Sequence, residues 1–302
     1  MAADHVQTTP LGAARLGAER PETGASDIQD IAGIINLRDY PLDRLDSPEG
    51  QALLARCRAM LAADGACLLP GFLTDAAVAQ AAEEAKALAG RAYRRPSPSS
   101  STAYIAAPDA SYPPDHPRNR IMSAFAEVVG LDLIPRRCVV RRIYEWDGLL
   151  DFLKAVLQRT EVYRYADPMG GLNVTVMRRG DHDGWHFDQT DFVVSMLLQP
   201  SEKGGDFEYS PHIRTAEDEN YDAVGRVFDG DRGLIRRLDL RPGTFALFLG
   251  RNSLHRVSPV EGEIPRMISL FGYDTKPGTM SSERLRLGRY GRTEPLAEPP
   301  DL

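Results

Sequence analysis

His186 and Asp188 stand two residues apart in the run Gly184-Trp185-His186-Phe187-Asp188, and a third candidate ligand, His255, follows in Leu254-His255-Arg256-Val257. In an extended strand, side chains at i and i+2 share a face, so this imidazole and this carboxylate can be offered to one ion. Alone, H-x-D is a common pair, and an isolated histidine is more often a hydrogen-bonded structural residue than a ligand. The combination is more specific. Two histidines and one carboxylate on one side of an ion leave three positions open, the arrangement that suits Fe(II) in non-heme oxygen chemistry. Two open positions would take a bidentate 2-oxo acid and the third O2. Arg266 follows eleven residues after His255, on the strand expected next. Its guanidinium can clamp a carboxylate in bidentate fashion, which the remote carboxylate of 2-oxoglutarate requires.

These four residues need a rigid frame. From Leu172 onward the pattern is β: Leu172–Met177 alternates, Phe192–Leu198 is a strong apolar run, and Phe207–Tyr209, Ile235–Leu240, Thr244–Leu249 and Arg266–Tyr273 read as further strands. Gly204-Gly205, Gly230 and Pro242-Gly243 punctuate them. Many short strands with turn signals predict a sandwich or barrel, long enough here for an eight-stranded jelly roll. Helices come first. Ser47-Pro48-Glu49 is a helix start, with a capping hydroxyl and proline at the first position, and Gly65 is its stop. Ala66–Leu69 reads as a short strand, Thr74 caps a second helix to about Leu88, and a third runs from about Gly148 to Arg159. Helices followed by strands predict an α+β domain. Residues 93–120, rich in proline, serine and tyrosine, read as a long ordered loop of the kind that serves as a lid. The expected organisation is an N-terminal arm over 1–28 and a single domain over 29–302. That domain has a helical flank at 29–160, a β core at about 161–275 and a C-terminal extension at 276–302.

Composition removes several classes. The net charge of −7 comes with no basic block, which excludes the clustered positive stripe of a nucleic-acid surface. Cys57, Cys67 and Cys138 are far apart with no paired spacing, so neither a disulfide framework nor a zinc site is indicated. The N-terminus lacks the apolar core of a secretory signal, and no apolar run reaches the length of a membrane span. A cytoplasmic protein with a small-molecule substrate is expected, with no nucleic-acid or membrane partner and a homodimer as the assembly to test for.

The segment from about Gly171 to Asp274 resembles the core of the Fe(II)/2-oxoglutarate-dependent dioxygenases. The resemblance carries the iron triad onto His186, Asp188 and His255 and the 2-oxoglutarate-binding arginine onto Arg266. It implies a double-stranded β-helix core, jelly-roll and cupin-like, with O2 as the oxidant. One departure stands out: many members have Arg-x-Ser at that arginine, whereas this chain reads Arg266-Met267-Ile268-Ser269. Ser269 should face away from Arg266, leaving Thr175 or Ser195 as alternative hydroxyl partners. A narrower resemblance, over about Leu172–Pro277, rests on Gly204-Gly205-Asp206-Phe207-Glu208-Tyr209, Arg241-Pro242-Gly243 and the run from Leu254 to Gly262. It is to a bacterial clade of hydroxylases and radical halogenases of free amino acids such as lysine and arginine, with a member acting on a nucleotide. The halogenases have a small residue where Asp188 stands, so hydroxylation is the outcome this resemblance implies, in bacterial natural-product metabolism.

Substrate-side candidates are Trp185, Asn173, Asn252 and Asp183, each with a plainer role in packing, strand-end hydrogen bonding or solvated loop. His182, the tyrosines of 93–120, Arg118 and Arg120 are further candidates for contacting or covering substrate. Two rivals remain: a cupin-like isomerase needing neither iron nor Arg266, and a binding protein that keeps the scaffold without turnover. Succinate formation from 2-oxoglutarate separates both from an oxygenase.

Overall fold

The structure, a computed structural model, describes residues 30–297; the expected arm over 1–28 lies outside them. Helix α1 (Pro48–Asp64) begins where the cap signals place it: the Ser47 side chain accepts from the Gly50 amide at 3.1 Å, and Gly65, at φ +64°, closes the helix. Removing that cap by Ser47→Ala should lower stability by about 1 kcal/mol, read as a lower thermal midpoint; an unchanged midpoint would show that the cap contributes nothing. Thr74 caps α2 (Asp75–Ala89) in the same way, accepting from Ala77 at 3.2 Å. Two helices follow, α3 (Val139–Glu145) and α4 (Asp147–Leu157), and later α5 (Tyr221–Phe228) and α6 (Glu283–Tyr290).

The strands are β1 (Ala66–Leu69), β2 (Tyr93–Arg94), β3 (Ser99–Thr102), β4 (Ile121–Phe125), β5 (Glu127–Gly130), β6 (Tyr163–Arg164), β7 (Leu172–Met177) and β8 (His182–His186). The chain continues through β9 (Val193–Gln199), β10 (Phe207–Ser210), β11 (Arg236–Arg237), β12 (Phe245–Phe248), β13 (Leu254–Val257), β14 (Arg266–Phe271) and β15 (Tyr273–Asp274). They form a seven-stranded sheet, β1-β12-β9-β14-β7-β5-β2, and a six-stranded sheet, β11-β10-β13-β8-β4-β3, with β15 paired to β6 separately. All pairings are antiparallel. From β7 to β14, successive strands alternate between the two large sheets except at β10 and β11, which are neighbours.

The period-2 alternation decides what each face meets. On one face of the larger sheet, Val174, Val176, Val194, Met196, Phe245, Leu247 and Phe271 join helix residues such as Leu53, Leu54, Ala81, Phe152 and Leu153 in the main core. The opposite face looks at the smaller sheet. There Phe248 of β12 meets Phe207 of β10 edge-on at 5.1 Å and His255 of β13 at 4.9 Å. The α+β expectation holds as two antiparallel sheets facing each other, with α1, α2 and α4 packed on the outer face of the larger sheet and α5 against the outer face of the smaller one. Among the described residues no helix is long and apolar enough to cross a membrane.

Three sequence expectations differ from the structure. Ile235–Leu240 is reduced to a two-residue strand after a 3-10 turn at Arg232–Leu234. The stretch 93–120 is only partly loop, since it contributes β2 and β3. Its aromatics do not close over the inter-sheet space: Tyr104, Tyr112 and His116 pack on Tyr221 of α5, and Tyr104 reaches Phe187 at 5.3 Å. Arg118 lies over the Tyr104 ring and Arg120 pairs with Asp229 at 2.6 Å, so neither guanidinium is directed at the triad.

Candidate metal centre

The smaller sheet sets His186 and His255 directly opposite each other, because β8 and β13 pair in a register that matches the two residues. Their ring centroids are 4.1 Å apart. Each Nδ1 sits against a carbonyl two residues back: His186 on Gly184 at 2.8 Å and His255 on Ser253 at 2.9 Å. A carbonyl can only accept, so each Nδ1 carries the proton and each Nε2 presents a lone pair, the tautomer that metal-binding histidines use. Phe207 stacks on the His255 ring at 5.5 Å and fixes its plane.

Asp188 arrives by a different route from the one its spacing suggested. β8 ends at His186, so strand periodicity does not align the two residues. The chain turns, the Asp188 amide donates to the Gly250 carbonyl at 3.1 Å, and the carboxylate enters beside the rings. Its Oδ1 lies 3.9 Å from His186 Nε2 and 3.6 Å from His255 Nε2. Gly250 is required for this approach, since a Cβ there would fall 1.7 Å from Asp188 Oδ2. Asp188 Oδ2 is buried without a hydrogen-bond partner. The three donor atoms lie within 4.8 Å of one another. Two unprotonated Nε2 atoms facing one carboxylate with an orphaned oxygen are a donor set that fits a divalent metal.

Electrostatics agree with that fit. Burial pushes His255 down to about 3, helped by the neighbouring His186, so its imidazole stays neutral. Burial also opposes charge on His186, but the Asp183 and Asp188 carboxylates outweigh it and raise its pKa above the ordinary 6.5. Burial raises Asp188, with His186, Arg251 and Arg289 pulling the other way. Protons therefore compete with metal at His186 and Asp188 and not at His255. Metal affinity should fall by up to about tenfold per pH unit as pH drops through the His186 titration, beginning above pH 6.5. Co(II) titrations at descending pH measure this, and a flat affinity through that range would contradict it.

Arg266 lies on β14 opposite Met177 of β7. It is buried, and its nearest polar contact is Met177 Sδ at 4.0 Å. No carboxylate pairs with it among the described residues. Burial pushes its pKa down to about 10, with Asp183 and Asp206 partly offsetting. An enclosed guanidinium without a counter-ion is costly and is shaped for an anion. Gly205, at φ +67°, lets the side chain pass, as a Cβ there would come within 3.1 Å of Arg266 Cδ.

The strand register sorts the remaining candidates. Asn173 and Thr175 share the inter-sheet face with Arg266, and Ser195 joins it through its pairing with Leu270. Thr175 donates to Asn173 Oδ1 at 3.3 Å. Ser269 faces the other way and donates to the Met196 carbonyl at 3.2 Å. Asp183 reaches the histidine side because the β8–β13 pairing slips between His255 and Val257; its Oδ1 is 3.7 Å from His186 Nδ1. Trp185 does not wall the centre. It is buried on the outer side of the smaller sheet with Phe187, Ile213 and Leu254, under the Arg256 guanidinium at 4.7 Å. Asn252 is half-buried in the loop before His255, where its carbonyl accepts from the Arg214 amide at 3.4 Å. His182 binds Ser123 Oγ at 2.8 Å.

Sequence reasoning missed Gly250, although a glycine between a strand and the second histidine is a readable signal for close approach. It also missed Tyr165 and Arg289, whose charge neighbourhoods include Asp188 and which no spacing rule marks.

The family described as Halogenase D matches residues 120–283, more than half of the chain and all four residues of the centre. The chain belongs to this family. The matched segment runs from β4 to β15 and ends at the first residue of α6. No curated protein matches the chain. Among solved structures, the 2-oxoglutarate-dependent epimerase SnoN of nogalamycin biosynthesis is 15% identical, covers 74% of this chain and 83% of its own, and has a TM-score of 0.49. A 2OG-Fe(II) oxygenase family oxidoreductase from Burkholderia pseudomallei is 15% identical over 75% of this chain and 92% of its own, at 0.45. HygX from Streptomyces hygroscopicus, with nickel and 2-oxoglutarate bound, is 13% identical over 72% and 85%, at 0.48. Likeness this distant decides nothing about the chemistry of the present chain.

Proposed function

We propose that this Halogenase D family member is an Fe(II)- and 2-oxoglutarate-dependent oxygenase that hydroxylates a small polar metabolite, a free amino acid such as arginine or lysine. The observation that carries the reading is the pairing of two features on the inter-sheet space. One is a two-histidine, one-carboxylate donor set with its Nε2 atoms unprotonated; the other is a buried arginine without a counter-ion. The alternation of strands between facing sheets supports a double-stranded β-helix, or jelly-roll, core around that space.

Fe(II) at this centre, with 2-oxoglutarate and O2, supplies the power to hydroxylate an unactivated C–H, with succinate and CO2 as co-products. The chain's own residues provide placement. His186, His255 and Asp188 would hold the metal on one side and leave the other open. Arg266 would anchor the far carboxylate of 2-oxoglutarate, with Thr175 or Ser195 as the hydroxyl beside it. The inter-sheet walls exclude bulk water and strengthen both interactions. Asp188 favours hydroxylation over halogenation: its carboxylate fills the third ligand position, and Gly250 keeps that position free for it.

The test is anaerobically purified protein given Fe(II), 2-oxoglutarate, air and a panel of free amino acids, with and without chloride. Succinate release coupled to product heavier by one oxygen is expected. A chlorinated product would overturn the hydroxylase assignment. No succinate above a denatured-protein control would overturn the oxygenase itself.

A further inference from the structure

Strand β8 ends at His186, so the Phe187 and Asp188 amides lie beyond its ladder and must find partners elsewhere. Asp188 donates to the Gly250 carbonyl at 3.1 Å and Phe187 to the Ala103 carbonyl at 2.8 Å. Ala103 comes from the far side of a strand. In the smaller sheet β4 lies between β3 and β8, and Thr102, the last residue of β3, stands opposite Ile121, the first of β4. On leaving β3 the chain therefore crosses the start of β4 to reach the end of β8. Tyr104 packs on Phe187 at 5.3 Å, and Gln189 Nε2 donates to the Ile105 carbonyl at 3.5 Å. The residues on both sides of Asp188 are thus fastened to one short turn.

That turn, Thr102–Ala106, is strained. Ile105 has φ +50°, in the left-handed region that a β-branched side chain resists most. Gln158, His212 and Asn220 are the other non-glycine residues there among those described, and none is β-branched. Such strain persists only where the surroundings over-determine it, and it gathers at functional sites. Here the surroundings centre on Thr102, which is fully buried. Its carbonyl accepts from the Ile105 amide at 2.9 Å, and its hydroxyl donates to the Ala106 carbonyl at 2.9 Å and accepts from Arg118 Nη1 at 3.4 Å. The Asp188 side chain has little of its own to hold it: Oδ2 has no hydrogen-bond partner, where a metal-binding carboxylate ordinarily has one. Its aim must come from the backbone on either side.

We propose that the Thr102–Ala106 turn positions Asp188 for the metal, with Thr102 as the positioning residue and Ile105 as the bend that brings its carbonyl to Gln189. The assignment rests on the reading of His186, Asp188 and His255 as a metal centre. It makes the connection between β3 and β4, remote from the ligands in sequence, part of that centre. Ala103 fixes the residue ahead of Asp188 and Gly250 fixes Asp188 itself. Loosening the turn frees the carboxylate to swing while both histidines stay on their strands.

The experiment is titration of the full-length protein with Co(II), read as affinity and as the d–d absorption of the bound ion. Ile105→Pro cannot adopt a positive φ and removes the amide that closes the turn. It should lose about 10–100-fold in affinity, the scale for removing support from a ligand, and its absorption should become that of Asp188→Ala. Ile105→Gly, which adopts the same φ freely, should bind far more tightly than Ile105→Pro. Thr102→Val should show the same loss and Thr102→Ser should recover most of it, which keeps the test open if the proline variant does not fold. In an Asp188→Ala background neither Ile105→Pro nor Thr102→Val should weaken binding further, whereas general damage to the sheet would weaken the histidine site too. Wild-type affinity and absorption in Ile105→Pro and Thr102→Val, or an equal loss with and without Asp188, overturns the assignment. The wild-type protein is titrated first, and its failure to bind Co(II) would instead overturn the reading of the centre.

Discussion

Alanine at Gly250 is expected to strip the centre of its metal while leaving the protein folded. The added methyl would lie 1.7 Å from Asp188 Oδ2, 2.6 Å from its Cγ and 3.1 Å from its Cβ. Rotation of the carboxylate tip cannot relieve all three contacts, so the side chain must leave the site. The glycine's own backbone is not in the left-handed region, so alanine carries no conformational strain there. Disturbing a group that merely supports a ligand costs about 10–100-fold in metal affinity, and expelling the ligand should cost at least that. Turnover should fall to background with the thermal midpoint of the metal-free protein little changed. Asp188→Ala should give the same loss, and the double variant should be no worse than Asp188→Ala alone, because the clash has lost its partner. Wild-type metal affinity in Gly250→Ala would mean that Asp188 is not a ligand in the position described.

What the chain disclosed by itself was local. Ser47, Pro48 and Gly65 mark both ends of α1 within a few residues, since capping depends on neighbouring groups alone. The two histidines and Arg266 were readable because each sits on a strand whose alternation is visible. Asp188 was found for an insufficient reason: the i, i+2 rule does not apply past the end of β8, and the residue reaches the site through a turn held by Gly250. Asp183 shows the reverse failure, because a slip in the β8–β13 register carries it to the histidine side. Trp185, adjacent to His186 on β8, faces out as strand alternation requires, into the cluster of Phe187, Ile213 and Leu254. The short strands β2 to β5 exist through partners distant in sequence, with Arg94 opposite Glu127 and Val128 opposite Thr175. No local pattern announces such pairings. Arg289 was invisible for a similar reason, because its relation to Asp188 depends on where α6 docks.

Arg266→Met should separate function from stability in opposite directions. In the wild type the guanidinium is enclosed, with no counter-ion closer than the partial influence of Asp183 and Asp206, and its pKa is drawn down to about 10. The folded protein thus carries a desolvated charge that only a bound anion relieves. Methionine has similar length and no charge, and it would sit beside Met177 as ordinary packing. The metal-free, ligand-free variant should therefore melt at or above the wild-type midpoint. Binding of 2-oxoglutarate should move the other way. Removing one partner of a buried ion pair costs about 3–5 kcal/mol, or a loss of roughly two to three and a half orders of magnitude in affinity. The measurement is a titration of 2-oxoglutarate into Ni(II)-loaded protein beside melts of the unliganded forms. Because the metal ligands are untouched, Ni(II) affinity itself should hold. A variant that binds 2-oxoglutarate normally would remove Arg266 from the co-substrate site. One that binds weakly but also melts well below wild type would mean that the guanidinium is structural, satisfied by the protein rather than reserved for the oxo-diacid.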